Sequence, residues 1–65
     1  MKSYSPREVM RILKENGWCL NRISGDHYIF RKEEIENIVV VPISKSNIKI
    51  GTLKNIERKS GIKFK

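Results

Sequence analysis

Two predicted β-strands meet at a short turn in the segment RISGDHYIFR, residues 22–31. Residues 24–26, Ser-Gly-Asp, have the composition of a tight turn. Residues 27–31 combine aromatic and β-branched side chains, which is typical of a strand. Because side chains alternate across a strand, we expect His27 on one face and Tyr28 on the other. The segment therefore predicts a hairpin with a histidine at the start of its second strand.

The rest of the chain supplies two helices and a third strand. The pattern SPRE at the start and Asn-Gly at the end predict a helix over residues 6–16. A second helix is expected over residues 52–60, beginning near Gly51. The other strands are predicted at residues 18–23 and 38–41. The order α-β-β-β-α predicts an α+β fold: a three-stranded antiparallel sheet with both helices on one face, in a single domain spanning residues 1–65.

The apolar pattern indicates which side chains form the core. Trp18 and the apolar stripes of both helices are expected inside. Tyr28 and Phe30 either pack in the core or stack on nucleic-acid bases. Cys19 is interpreted as a small, half-buried filler.

The charge is concentrated in the last third of the chain. The sequence has 14 Lys+Arg and 7 Asp+Glu, a net charge of +7. Residues 44–65 contain seven basic side chains and a single acidic one, Glu57. This asymmetry indicates a polyanionic partner, nucleic acid above all, unless the lysines serve only as a solvated helix face.

Several classes of protein are excluded or disfavoured by composition. One cysteine cannot form an internal disulfide, which fits a reducing cytoplasm. The longest apolar run, residues 38–43, is far shorter than a membrane span, and the N-terminal residues lack the apolar region of a secretory signal. One histidine and one cysteine cannot make a zinc site, so we expect no metal and no cofactor.

The sequence as a whole resembles the HicA family of toxins, also called YcfA-like mRNA interferases. The matching segments follow one another in order through nearly the whole chain. They are SPREV at 5–9, NGW at 16–18, RISGDHYIF at 22–30, VVVP at 39–42, IGTL at 50–53 and SGI at 60–62.

The resemblance implies a small toxin with the fold of double-stranded-RNA-binding domains that cleaves RNA, usually mRNA, and is neutralised by a HicB antitoxin. We expect a monomer alone and a hetero-oligomer with the antitoxin. The family's active histidine lies in a Gly-Ser-His motif followed three residues later by Phe or Tyr, which corresponds to residues 25–27 and Phe30. Two positions depart from the pattern: Asp26 replaces the serine, and Ser44 stands where many members have a second histidine.

His27 is the candidate catalytic residue, with Gly25 and Asp26 as its supporting turn. Histidine is the side chain whose unperturbed pKa lies nearest neutrality, so it can act as general acid or base on RNA, which carries its own 2′-hydroxyl nucleophile. The second proton carrier stays open among Lys45, Lys49, Tyr28, Asp26 and water. Asp26 either stabilises the protonated imidazole or satisfies local backbone amides. An exposed strand histidine without chemistry is the competing interpretation.

Basic side chains around the second helix are candidates for positioning phosphates. Lys45, Lys49 and Lys54 flank its beginning, where helix amides favour an anion and Thr52 adds a hydroxyl. Arg22, near the turn, is the remaining candidate cation. Such contacts fix the register of the RNA without reading its sequence.

The leading hypothesis is therefore the toxin of a type II toxin-antitoxin system, a metal-independent endoribonuclease acting through His27. The alternative is a non-catalytic RNA-binding module of the same fold. A DNA-binding protein is disfavoured because no recognition helix is evident.

Overall fold

A computed structural model describes residues 2–64 and has the predicted order of elements. They are α1 (Pro6–Glu15), β1 (Cys19–Ser24), β2 (His27–Arg31), β3 (Val39–Pro42) and α2 (Ile50–Ser60). The predicted α+β class and the order α-β-β-β-α are confirmed.

Local hydrogen bonds set both ends of α1. The Ser5 hydroxyl accepts the backbone N–H of Glu8 at 3.1 Å, and the Glu8 carboxylate accepts the backbone N–H of Ser5 at 2.9 Å. This is the predicted capping box. At the other end Gly17 has a φ of 89°, and Trp18 donates its N–H to the carbonyl of Leu13 at 3.0 Å. This Schellman-type ending turns the chain so that Trp18 enters the core.

The three strands form one antiparallel sheet in the order β1-β2-β3, so β2 is central. Phe30 of β2 lies opposite Leu20 of β1, and Ile29 lies opposite Arg22. The register therefore shifts by one residue at Asn21, which is a β-bulge. This bulge explains why the alternation of residues 18–23 is irregular in the sequence.

The core lies between the sheet and the two helices. Phe30 is fully buried, and Tyr28 packs against the same cluster. Its other members come from α1, β3, α2 and the segments outside the helices and strands. They are Tyr4, Val9, Leu13, Trp18, Val39, Val41, Ile48, Leu53, Ile56 and Phe64. Because residues of both helices meet the same faces of β2 and β3, the helices cover one side of the sheet.

The residues after α2 fold back and complete the core. Gly61 has a φ of 76° and ends α2. The Phe64 N–H donates to the Glu57 carboxylate at 2.7 Å, and the Phe64 ring packs edge-on against Tyr4 with 5.3 Å between centroids. Glu57, the one acidic residue of residues 44–65, therefore holds the C-terminal segment against α2.

The structure corrects some details of the prediction. Cys19 is exposed rather than half-buried, because β1 is an edge strand that no buried cluster covers. The helix α2 begins at Ile50, slightly earlier than expected, and β3 includes Pro42. Within residues 2–64, neither helix is long and apolar enough to cross a bilayer.

Candidate active site

His27 is positioned by a two-residue turn. Ser24 and His27 are paired across the β1–β2 ladder, which leaves Gly25 and Asp26 as the connection. Gly25 has a φ of 55°, whereas Asp26 is outside the positive-φ region. Glycine at the first central position is the pattern of a type II′ hairpin, whose twist matches that of the strands. The imidazole is thereby fixed at the first residue of the central strand.

The side chain of His27 lies on the sheet face that the helices leave uncovered. Phe30 and Tyr28 face the helices, so the alternate positions His27 and Ile29 face the other way. His27 is exposed, and Ile29 is buried without belonging to the helix-covered cluster. Arg22 pairs with Ile29 and is therefore the diagonal neighbour of His27 on the same face. Of the predicted cations, Arg22 is the one that the register brings beside the imidazole.

The end of β3 is tied to the same turn. Pro42 lies opposite His27, and the next residue, Ile43, donates its N–H to the carbonyl of Asp26 at 2.7 Å. Asp26 thus links the hairpin turn to the loop that leaves the sheet. Ser44 follows directly, and its hydroxyl oxygen accepts the N–H of Ser46 at 3.0 Å.

The Asp26 carboxylate makes neither of the contacts predicted for it. In residues 2–64 no hydrogen bond or ion pair joins it to His27 or to a local backbone amide. The ion pair found within residues 2–64 joins Arg11 to Glu15 on α1, at 3.1 Å, and does not involve Asp26. Asp26 acts on the geometry of the turn through its backbone carbonyl.

The predicted phosphate-binding residues lie on the loop and on α2. Lys45 is exposed on the loop between β3 and α2, and Lys49 is the residue before α2, with no side-chain capping bond. Thr52 is half-buried in the first turn of α2, and Lys54, two residues further along the helix, is exposed. Thr52 and Lys54 belong to the helical layer, whereas His27 and Arg22 face the other side of the sheet.

The connectivity nevertheless brings the two layers together at one end of the molecule. The loop starts at the Asp26–Ile43 hydrogen bond beside His27. It ends where Ile48 donates its N–H to the carbonyl of Tyr4 at 2.8 Å, just before α1. Lys45 lies between these two anchors, and Lys49 directly follows the second. We call this the turn end of the molecule: residues 25–27, the loop 43–49 and the first turn of α1.

The structure adds a pocket at the turn end that the sequence did not predict. It has a volume of about 240 Å³ and draws on three segments. Its lining consists of Pro6, Arg7, Met10, Tyr28, Ile43 and Ser44. No local sequence signal joins segments so far apart in the chain.

Within residues 2–64 no group of three or more His, Cys, Asp or Glu side chains is placed to hold a metal ion.

A comparison with known protein families gives a match over most of the chain. The family described as HicA toxin of bacterial toxin-antitoxin matches residues 6–62. No curated protein gave a significant match. Since the family match spans nearly the full 65 residues and includes both helices and all three strands, the chain belongs to the HicA family of toxins from bacterial toxin-antitoxin systems, a membership that implies an antitoxin partner.

Proposed function

We propose that this toxin is an endoribonuclease that cleaves RNA, mRNA in the cell, with His27 as its general acid or base. The observation that carries the proposal is the placement of His27. It is exposed on the uncovered face of the sheet, at the first residue of the central strand, with Arg22 as its diagonal neighbour on β1. An imidazole open to solvent and beside a cation can reach a phosphodiester that a deep pocket would not admit.

The chemistry requires little from the protein because RNA carries its own nucleophile. The 2′-oxygen bonds to the adjacent phosphorus, and the bond from phosphorus to the 5′-oxygen breaks. One proton leaves the 2′-hydroxyl and one arrives at the 5′-oxygen. The imidazole carries one of these protons, which contributes about 10²–10⁴-fold to the rate, and water carries the other. The products are a 2′,3′-cyclic phosphate and a free 5′-hydroxyl.

Cations supply the binding and the charge stabilisation. Arg22 would contact the phosphate at His27, since a guanidinium can hold two phosphate oxygens at once. Lys45 and Lys49 at the turn end, with Thr52 and Lys54 on α2, would hold neighbouring phosphates. The basic loop and α2 thereby guide the strand toward the imidazole, in keeping with a shallow site. No metal is needed for this scheme, since a base, an acid and positive charge are all provided by side chains and water.

The test is a cleavage assay of the purified protein on mixed-sequence RNA in the presence of a chelator. We expect cleavage to products with cyclic phosphate ends, and a loss of about 10²–10⁴-fold in His27→Ala. Asn37→Ala, an exposed loop substitution, is the matched control and should cleave normally. Added imidazole should partly restore cleavage to His27→Ala, which a purely structural role of the residue would not allow.

Three outcomes would contradict the proposal in different ways. Undiminished cleavage by His27→Ala removes the residue from the reaction. Loss of cleavage on adding chelator rules out the metal-independent scheme. Binding of RNA without cleavage by the wild type favours the alternative function, a non-catalytic RNA-binding module.

A further inference from the structure

The pocket at the turn end lies immediately beside the candidate catalytic residue. Tyr28, which forms one wall, directly follows His27 in β2. Ile43, another wall, directly follows Pro42, which is the register partner of His27. The hydrogen bond from Ile43 to the Asp26 carbonyl, 2.7 Å long, fixes this wall to the turn that holds His27. The imidazole and the pocket therefore lie at the same end of β2, on opposite faces of the sheet.

The lining of the pocket has the composition of a site for a flat, partly polar ring. Tyr28 and Met10 are half-buried and contribute aromatic surface and a polarisable thioether to the lining. Ile43 adds apolar surface and is 41% exposed. Single-stranded RNA is recognised by splaying out bases and stacking them on such side chains. At about 240 Å³ the pocket is smaller than the roughly 300–1,000 Å³ that holds drug-sized ligands, which suits one base.

The polar groups around the pocket are mostly donors. Arg7 is exposed and carries the five N–H donors of a guanidinium. The Ser44 oxygen accepts the N–H of Ser46, and its hydroxyl proton remains available to donate. Among the described residues 2–64, no carboxylate lines the pocket. A base that presents hydrogen-bond acceptors, as guanine does with O6 and N7, is the complement of this arrangement.

We propose that this pocket binds the base of a nucleotide next to the cleaved phosphodiester, with guanine preferred, and that Arg7 and Ser44 set this preference. The inference rests on the proposed ribonuclease function and adds to it the determinant of sequence specificity. The phosphate cations hold any RNA, whereas the pocket selects where along the strand His27 acts.

The first experiment maps cleavage sites on a mixed-sequence RNA. For the wild type we expect guanine to be enriched at one fixed position relative to the cut. Arg7→Ala should lower the preference for guanine over adenine at that position by about 5- to 150-fold, the loss expected for one good side-chain contact to a base. Ser44→Ala and Tyr28→Phe should alter it less, and Tyr28→Phe keeps the ring that packs on the core. Lys59→Ala removes another exposed cation, on α2, and should leave the preference unchanged.

Arg7→Lys separates base recognition from charge. Lysine keeps the positive charge but loses the planar fork of donors, so we expect most of the preference to be lost with general RNA affinity retained. An unchanged cleavage pattern in Arg7→Ala and Ser44→Ala, or an equal change in Lys59→Ala, would overturn the proposal. So would pocket variants that cleave at the same sites but escape inhibition by the antitoxin, since the pocket would then belong to that protein partner.

The second experiment does not depend on cleavage. His27→Ala is titrated with short single-stranded RNAs that contain one guanine or, in its place, one adenine. Tighter binding of the guanine strand that disappears in the His27→Ala, Arg7→Ala double variant supports the pocket even if the wild type proves inactive. Equal affinity for the two strands rejects the pocket proposal, whatever the outcome of the cleavage assay.

Discussion

At the scale of single residues, the position of His27 depends on the left-handed backbone of Gly25. A side chain at Gly25 would meet nothing within 4 Å, so sterics between side chains do not require glycine there. Glycine is favoured at this position by its φ of 55°, because a β-carbon in this conformation comes too close to the following carbonyl oxygen. The hairpin could be predicted because this turn chemistry is local to residues 24–26.

Gly25→Ala tests this account, with Gly51→Ala as its matched control. Both glycines have open space around the missing β-carbon, but Gly51 lies in α2 and has no positive φ. We expect Gly25→Ala to lower the free energy of unfolding by about 1–2 kcal/mol. Gly51→Ala should raise it by about 0.5–1 kcal/mol, because alanine loses less entropy in a helix. Urea denaturation measures both, and destabilisation of equal size in the two variants would show that φ is not the cause.

The pocket residues show the limit of prediction at this scale. Arg7 was recognisable only as part of a helix start, and Ser44 only as a departure from a family pattern. Their shared role depends on α1, β2 and the loop after β3 meeting at one point. The spacing of these residues in the sequence does not indicate that the three segments are in contact. The candidate catalytic histidine, in contrast, lies in a local motif and could be predicted from it.

At the scale of elements, the ends of the helices were predictable and the closure of the core was not. The capping box at Ser5 and the glycine endings at Gly17 and Gly61 each involve neighbours a few residues apart. The contact of Tyr4 with Phe64 joins the two ends of the described chain. No periodic pattern includes such isolated aromatic residues, so the sequence offered no signal for this contact.

The capping box makes α1 sensitive to pH in a defined direction. Hydrogen bonds from the backbone and the side chain of Ser5 lower the pKa of Glu8 below its ordinary value of 4.5. A carboxyl whose pKa is lowered by folding stabilises the native state above its unfolded pKa. That contribution is lost as the pH falls through the lowered value.

Glu8→Gln isolates this contribution because glutamine keeps an acceptor for the Ser5 N–H but carries no charge. We expect the wild type to be the more stable of the two proteins above pH 4.5. The difference should shrink as the pH falls below that value and vanish once Glu8 is protonated. Denaturation curves at a series of pH values measure it. A difference that stays constant down to pH 2 would mean that the charge of Glu8 plays no part.

At the scale of the whole molecule, the charge asymmetry of the sequence becomes a spatial one. The basic third of the chain forms the loop after β3, the helix α2 and the tail that folds back along it. The composition predicted a polyanionic partner, and membership of a toxin-antitoxin family adds a protein partner. What composition could not predict is that the loop leading into this basic segment is hydrogen-bonded to the turn that holds His27, through the Ile43 N–H and the Asp26 carbonyl, because only the fold joins the two.

The salt dependence of RNA binding measures which of these cations touch phosphate. Each phosphate neutralised on single-stranded RNA contributes about −0.7 to the slope of log K against log salt concentration. In a His27→Ala background, which keeps the RNA intact, Lys45→Ala should reduce the magnitude of this slope by about 0.7 and weaken binding to all sequences alike. Lys63→Ala, which removes another exposed cation on the tail beyond α2, should leave the slope unchanged. Equal losses in both variants would mean that RNA is held by the diffuse field of the molecule, and the turn end would then have no special part in guiding phosphates to His27.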